Sequence, residues 1–173
     1  FYQTDRKERH SPRLSMISIS THRSLRAKLI FNAISGQPEE SPQKLAEILT
    51  EMQRWHILPE VFMVRPDSRV ETVVRSAIKG GIKLVVVAGG DGTIDSVVGA
   101  MVGSSATLGI IPTGTRNNVA FNLGIPGTIA DAVALLREGR RLKLDVGNVR
   151  SGRASRWFLE AATLLSLIHI SEP

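Results

Sequence analysis

Gly89, Gly90, Asp91, Gly92 and Thr93 follow directly on an apolar run, Leu84 to Val87, and precede Ile94, Val97, Val98 and Met101 at helical spacing. The run reads as a strand buried on both faces, so the glycines occupy a strand-to-helix turn. A helix start presents unpaired backbone N–H groups and the positive end of a dipole, and glycines without Cβ atoms let a phosphate approach that backbone closely. The chemistry this suits is phosphate handling. A tight turn with Asp91 or Thr93 as helix cap is the plainer alternative, but three glycines around one Asp exceed what a turn needs.

Two further strand ends carry similar loops. Lys28 to Phe31 (KLIF) reads as a strand followed by Asn32, Ala33, Ile34, Ser35 and Gly36, and Thr107 to Ile111 (TLGII) as a strand closed by Pro112 to Asn118. Either loop is an ordinary turn on its own, and Asn117 or Asn118 could cap a helix containing Val119 and Leu123.

The elements that must position these loops alternate. Ser41 is expected to cap a helix with Pro42 at its first position and Leu45, Ile48, Leu49 and Met52 on one face. Glu60 to Val64 reads as a strand, and Ser68 with Glu71 as a capping box for a helix that turns Val70, Val73, Val74, Ala77 and Ile78 inward and stops at Gly80 and Gly81. Strands alternating with amphipathic helices imply a mainly parallel sheet covered on both faces, with ligands beyond the carboxyl ends of the strands. All three loops fall at that end, so one ligand could touch them all. No GxxxxGK[ST] and no GxGxxG is present, which leaves backbone amides, the hydroxyls of Thr93 and Thr115, and a divalent metal drawn by Asp91 and the phosphates to do the binding. Among these groups Asp91 is the choice for the residue closest to the chemistry, organising metal or phosphate-bound water, or orienting an attacking hydroxyl. His10, His22, His56 and His169 are scattered without ligand spacing.

With 173 residues, 42% hydrophobic and 22% charged, the composition is that of a globular domain with a sizeable core. No cysteine is present, which excludes disulfides and thiolate metal sites and makes a cytoplasmic location the default. The apolar runs fall short of the ~18 residues that span a bilayer. Arg6, Lys7, Arg9, Arg13, Arg23 and Arg26 put most of the +6 net charge into residues 1–26, which read as a flexible basic leader. Lacking interleaved aromatics, that leader is not expected to bind nucleic acid.

GGDGT after a hydrophobic strand, Asn-x-x-Ser-Gly upstream and LGIIPTGTRNNVAFNLGIP downstream resemble the catalytic domain of diacylglycerol kinase-type lipid kinases, a superfamily that includes sphingosine kinases and NAD kinases. The resemblance covers about Ala27 to Ala162. It implies a Rossmann-like N-terminal α/β domain and ATP-dependent phosphorylation of a lipid hydroxyl such as that of diacylglycerol, assisted by Mg²⁺, in phospholipid biosynthesis and at a membrane surface that the protein meets peripherally. Asn32, Ala33, Ile34, Ser35 and Gly36, then Gly89, Gly90, Asp91, Gly92, Thr93, Ile94 and Asp95, then Gly114, Thr115 and Asn117 would hold the nucleotide. The metal ligands and the oligomeric state stay open. This chain departs from the family's usual pattern at Ala33 (commonly Pro), Asp95-Ser96 (commonly Asn-Glu) and Asn118 (commonly Asp), with Asp95 restoring a carboxylate one position early. An NAD kinase-like enzyme for a soluble acceptor and a non-catalytic nucleotide-binding module are the competing readings.

After Asn122, Thr128 should cap a helix with Ile129, Ala132, Val133 and Leu136 on one face, stopped by Gly139, and Leu142 to Val146 should form a half-exposed strand. The expected organisation is a kinase domain over 27–141, the start of a second, antiparallel β domain over 142–162 with a strand in Arg156 to Ala162, and a tail over 163–173 of foreign or frame-shifted origin. In the resembling family the β domain supplies the lipid contacts, so a chain cut there is expected to bind nucleotide without turning over.

Overall fold

The computed structural model describes residues 24–36, 38–151 and 154–159; the basic leader up to residue 23 and the tail from 160 onward, with the expectations placed on them, lie outside the described residues. Among the described residues six strands and five helices follow in chain order: β1 (Leu25–Phe31), α1 (Ser41–Arg54), β2 (Ile57–Met63), α2 (Val70–Lys79), β3 (Leu84–Gly89), α3 (Asp91–Met101), β4 (Thr107–Pro112), α4 (Asn118–Asn122), α5 (Ile129–Glu138), β5 (Gly147–Ser151) and β6 (Ala154–Phe158). A 3₁₀ turn, Pro38–Glu40, leads into α1.

The first four strands form a parallel sheet in the order β2-β1-β3-β4, as the alternation of strands and helices requires. Strand period two divides its side chains between two cores. Ile30, Val85, Val87 and Ile110 meet Val70 and Val74 of α2 and Ile94, Val97 and Val98 of α3 on one face. Ala27, Leu29, Phe31, Leu84, Val86 and Ile111 meet Ile48 and Met52 of α1 and Ala132 and Val133 of α5 on the other. Every residue of β3 is buried, which is why that strand reads as an unbroken apolar run. At about 1.5–3 kcal/mol for each large side chain buried, these two layers are what fix the strand ends in space.

The structure corrects several boundaries. β1 begins at Leu25, not Lys28, so Leu25 and Arg26 belong to the sheet. Arg26 and Lys28 do not interrupt the strand because they alternate with Ala27 and Leu29, and Arg26 is ion-paired with Glu60 across β2 at 2.6 Å. β2 likewise starts early, at Ile57, with Pro59 inside it; an edge strand tolerates a residue that cannot donate to the ladder. Ser41 is the first helical residue of α1, not its cap: the Ser41 hydroxyl donates to the Ala33 carbonyl instead. The expected capping box fails too, since Ser68 Oγ accepts the Arg65 amide at 2.8 Å and α2 starts behind Arg69 without a side-chain cap. Thr128 does cap α5, accepting the Asp131 amide at 3.2 Å.

Leu142 to Val146 is not a strand. Alternation makes a strand only where a neighbouring ladder offers partners, and here pairing is delayed to β5, which meets β6 in an antiparallel hairpin. Leu142 and Leu144 stay exposed. The hairpin is tied to the sheet domain through Trp157, which packs on α3 against Gly99, where a Cβ would lie 3.0 Å from the indole. Among the described residues no helix is long and apolar enough to cross a membrane.

Candidate functional site

β1, β3 and β4 are neighbours in a parallel sheet, so the loops leaving their carboxyl ends emerge side by side. The first is built around Asn32. Its amide donates to the Ala88 carbonyl at 2.9 Å, prolonging the β1–β3 ladder, and its side-chain oxygen accepts the Ile34 amide at 3.1 Å in an Asx turn. Its side-chain nitrogen donates to Thr93 Oγ1 at 2.9 Å, fastening the first loop to the first turn of α3.

The second loop is the Gly89-Gly90 corner. Gly90 is the N-cap of α3 in an extended conformation, and the first intrahelical bonds run from the Thr93 and Ile94 amides to its carbonyl at 3.0 and 3.2 Å. The amides of Asp91 and Gly92 come before those bonds and face the helix start. Gly92 has open space where a Cβ would be, which is the room a phosphate needs.

The third loop folds on itself through Asn117, which sits in the left-handed region at φ 50°. Its side chain accepts the Gly114 amide at 3.0 Å and donates to the Gly114 carbonyl at 2.7 Å. Asn117 and Asn118 therefore do not cap α4 by their side chains. That task falls to Asp91: its two carboxylate oxygens accept the amides of Asn118 and Val119, each at 3.1 Å. An acidic side chain at a helix start satisfies orphan N–H groups and the dipole together.

The loops also touch one another through glycines. A Cβ on Gly36, whose φ is +83°, would fall 2.5 Å from the Thr113 carbonyl oxygen, and one on Gly114 would fall 2.5 Å from Gly90 Cα. A Cβ on Gly90 would meet Ser35 Oγ at 3.3 Å. Several of these glycines are thus explained by loop packing, and Gly92 alone among those of the GGDGT stretch is free on its side-chain side.

The structure brings the three loops together and gives their residues different surroundings. Thr115 and Ile34 are exposed, and Asp95, one turn into α3, is half-buried. Thr93 is buried beneath the loops with its hydroxyl on Asn32, and the Ile94 side chain belongs to the core, so Ile94 can offer a ligand only its backbone. Ala33 contributes the carbonyl that holds Ser41. Lys44 escaped sequence reasoning, and Thr113 was read only as part of the third loop. Thr113 is buried with a hydroxyl that has no partner among the described residues, and Lys44 reaches back from α1 so that its Nζ lies 3.8 Å from where a Gly36 Cβ would be. The i,i+4 spacing of Glu40 and Lys44 was visible in the sequence; the return of α1 over the Gly36–Thr113 junction was not.

Among the described residues no group of three or more His, Asp or Glu side chains forms a preassembled metal cage. Asp91 and Asp95 are the carboxylates of α3 that a divalent ion shared with phosphates would use. A groove of about 550 Å³ beside β2 and α2, lined by Arg26, Lys28, Glu60 and Phe62 among others, contains none of the loop residues.

Residues 26–149 match the family model of the diacylglycerol kinase catalytic domain. A diacylglycerol kinase of Staphylococcus carnosus is 30% identical over 139 residues, 79% of this chain and 44% of that protein. A probable lipid kinase, YegS-like, of Klebsiella pneumoniae is 40% identical over 78 residues, 44% of this chain and 26% of that protein. The crystal structure of a diacylglycerol kinase from Bacillus anthracis superposes with a TM-score of 0.63 at 25% identity, covering 72% of this chain and 43% of that one. The chain spans less than half the length of each of these relatives.

Proposed function

Because the chain belongs to the diacylglycerol kinase catalytic-domain family, we propose that its three-loop site binds ATP and serves an ATP-dependent lipid kinase, which passes the γ-phosphoryl group to a lipid hydroxyl such as that of diacylglycerol. The observation that carries this reading is the convergence of the Asn32–Gly36, Gly89–Thr93 and Thr113–Asn118 loops on the start of α3, with Gly92 open beside it. Phosphoryl transfer asks the protein for position and charge compensation more than for covalent chemistry, and backbone amides held by neighbouring loops supply both.

Within this reading the α3 start receives the phosphates, Thr115 adds an exposed hydroxyl, and the Asn32–Thr93 bond keeps the first two loops at fixed separation. Asp91 holds the third loop. Each of its oxygens accepts one amide and keeps a further lone pair, enough to orient the acceptor hydroxyl. Mg²⁺, shared by Asp91, Asp95 and the phosphates, would neutralise charge on the transferred group. A lipid acceptor places the working protein at a membrane surface.

The relatives above carry diacylglycerol kinase or lipid kinase names, which favours a lipid over NAD as acceptor. The test is radiolabel transfer from ATP with a protein that has this domain in its natural full length, offered diacylglycerol in mixed micelles and, separately, NAD. Labelled phosphatidic acid is the expected product. Label in NAD alone would overturn the lipid reading.

A further inference from the structure

Lys44 is the cation of the structure that stands at the junction of two site loops. It lies in the first turn of α1, outside every glycine-rich stretch, yet its Nζ comes within 3.8 Å of the Cβ position of Gly36, the same point that lies 2.5 Å from the Thr113 carbonyl. Its partner is Glu40 on the preceding 3₁₀ turn, at 2.9 Å. Its side chain is 24% exposed, whereas Arg26 and Arg54, which are ion-paired to Glu60 and Glu51, are 63% and 71% exposed. A solvated i,i+4 pair would leave both partners in water; here the lysine is drawn down over the loops while Glu40 stays 54% exposed.

The charge balance of the site gives this placement a purpose. Within the three loops Arg116 is the one basic residue, and it is exposed, while Asp91 and Asp95 bring negative charge to the same helix start. A triphosphate arriving there needs a cation that can reach it without being built into a loop. Lysine fits, as a point charge with three donors on a flexible four-carbon stem. Thr113, whose carbonyl forms the junction, also carries a buried hydroxyl with no partner among the described residues.

We propose that Lys44 is a phosphate-binding residue of the nucleotide site, held in readiness by Glu40, which it exchanges for the phosphate chain when ATP binds. This rests on the ATP-site reading above. Glu40 is then a competitor: the ion pair keeps Lys44 beside the loops and must be given up on binding. An i,i+4 pair of this exposure is weak, so the exchange costs only about a twofold loss of affinity.

The test is calorimetric titration of the purified chain with Mg-ATP, alongside Lys44→Met, Lys44→Arg and Glu40→Gln, with thermal melting of each to register the fold. Lys44→Met should bind ATP about tenfold more weakly, the loss expected for one charge-assisted hydrogen bond, with a shallower dependence of affinity on salt. Lys44→Arg should restore most of the affinity, and Glu40→Gln should bind about twofold more tightly. Wild-type affinity in Lys44→Met, or failure of Lys44→Arg to restore it, overturns the assignment while leaving the ATP site standing. Absence of ATP binding by the wild-type chain overturns the site reading and this inference with it.

Discussion

Asp91 begins one helix and caps another: from the first position of α3 its carboxylate accepts the Val119 amide of α4 at 3.1 Å, and the Asn118 amide at the same distance. The acid that sequence reasoning marks as nearest the chemistry is therefore also a structural fastener between the second and third loops. Replacing it by Ala should cost about 1–2 kcal/mol, the usual loss for a helix-capping side chain, and should free the start of α4. Asp91→Asn should fall between, because its amide keeps one acceptor and turns a donor toward the other N–H. Chemical denaturation of the three proteins checks this order; equal midpoints for Asp91→Ala and wild type would mean that the two hydrogen bonds contribute nothing.

Gly92 and Gly114 separate ligand space from packing space. Gly92 has nothing within 4 Å of its Cβ position and lies in a helix, so Gly92→Ala should leave stability unchanged or raise it by about 0.5–1 kcal/mol while weakening ATP binding. Gly114→Ala would press a methyl to 2.5 Å from Gly90 Cα and should lower both stability and affinity. Melting temperatures beside ATP titrations distinguish the two. A Gly92→Ala protein with undiminished affinity would move the phosphates away from the start of α3.

Trp157 reports on the seating of the β5–β6 hairpin. It packs over Gly99 on the face of α3, so Gly99→Val should lift the indole off the helix, shifting its fluorescence to the red and lowering stability by about 1–3 kcal/mol. Trp55 is best replaced by Phe for this measurement, since it is the other tryptophan of the chain. An unshifted spectrum in Gly99→Val would show that the hairpin does not depend on that contact.

How much of this was legible in the sequence follows from the range of each interaction. The α/β class, the burial of β3, the stop at Gly80 and the Thr128 cap are local or periodic, and patterns of two and 3.6 residues display them directly. The convergence of three loops could be inferred from the strand-end rule without knowing a single contact. What stayed hidden were the partners. Ser41, Ser68 and Asn117 are all residues that cap helices, and each instead spends its side chain on a loop, which no spacing reveals. Lys44 is invisible for a similar reason: it reaches the Gly36 position where Thr113, far along the chain, also arrives. The Leu142 to Val146 stretch shows the converse, a valid alternation that forms no ladder.

β1 and β4 are separated by β3, so their ends stand about 10 Å apart at ordinary strand spacing. Gly36 nevertheless meets Thr113, and Ser35 and Gly114 meet over Gly90. The outer loops lean inward as the two limbs of an arch, with Gly90 as its keystone. An arch has no partly standing form. Residues 32–36 and 113–118 should therefore open as one cooperative unit, their amides exchanging hydrogen at a common rate, and a nucleotide that steadies either limb should slow exchange in the other.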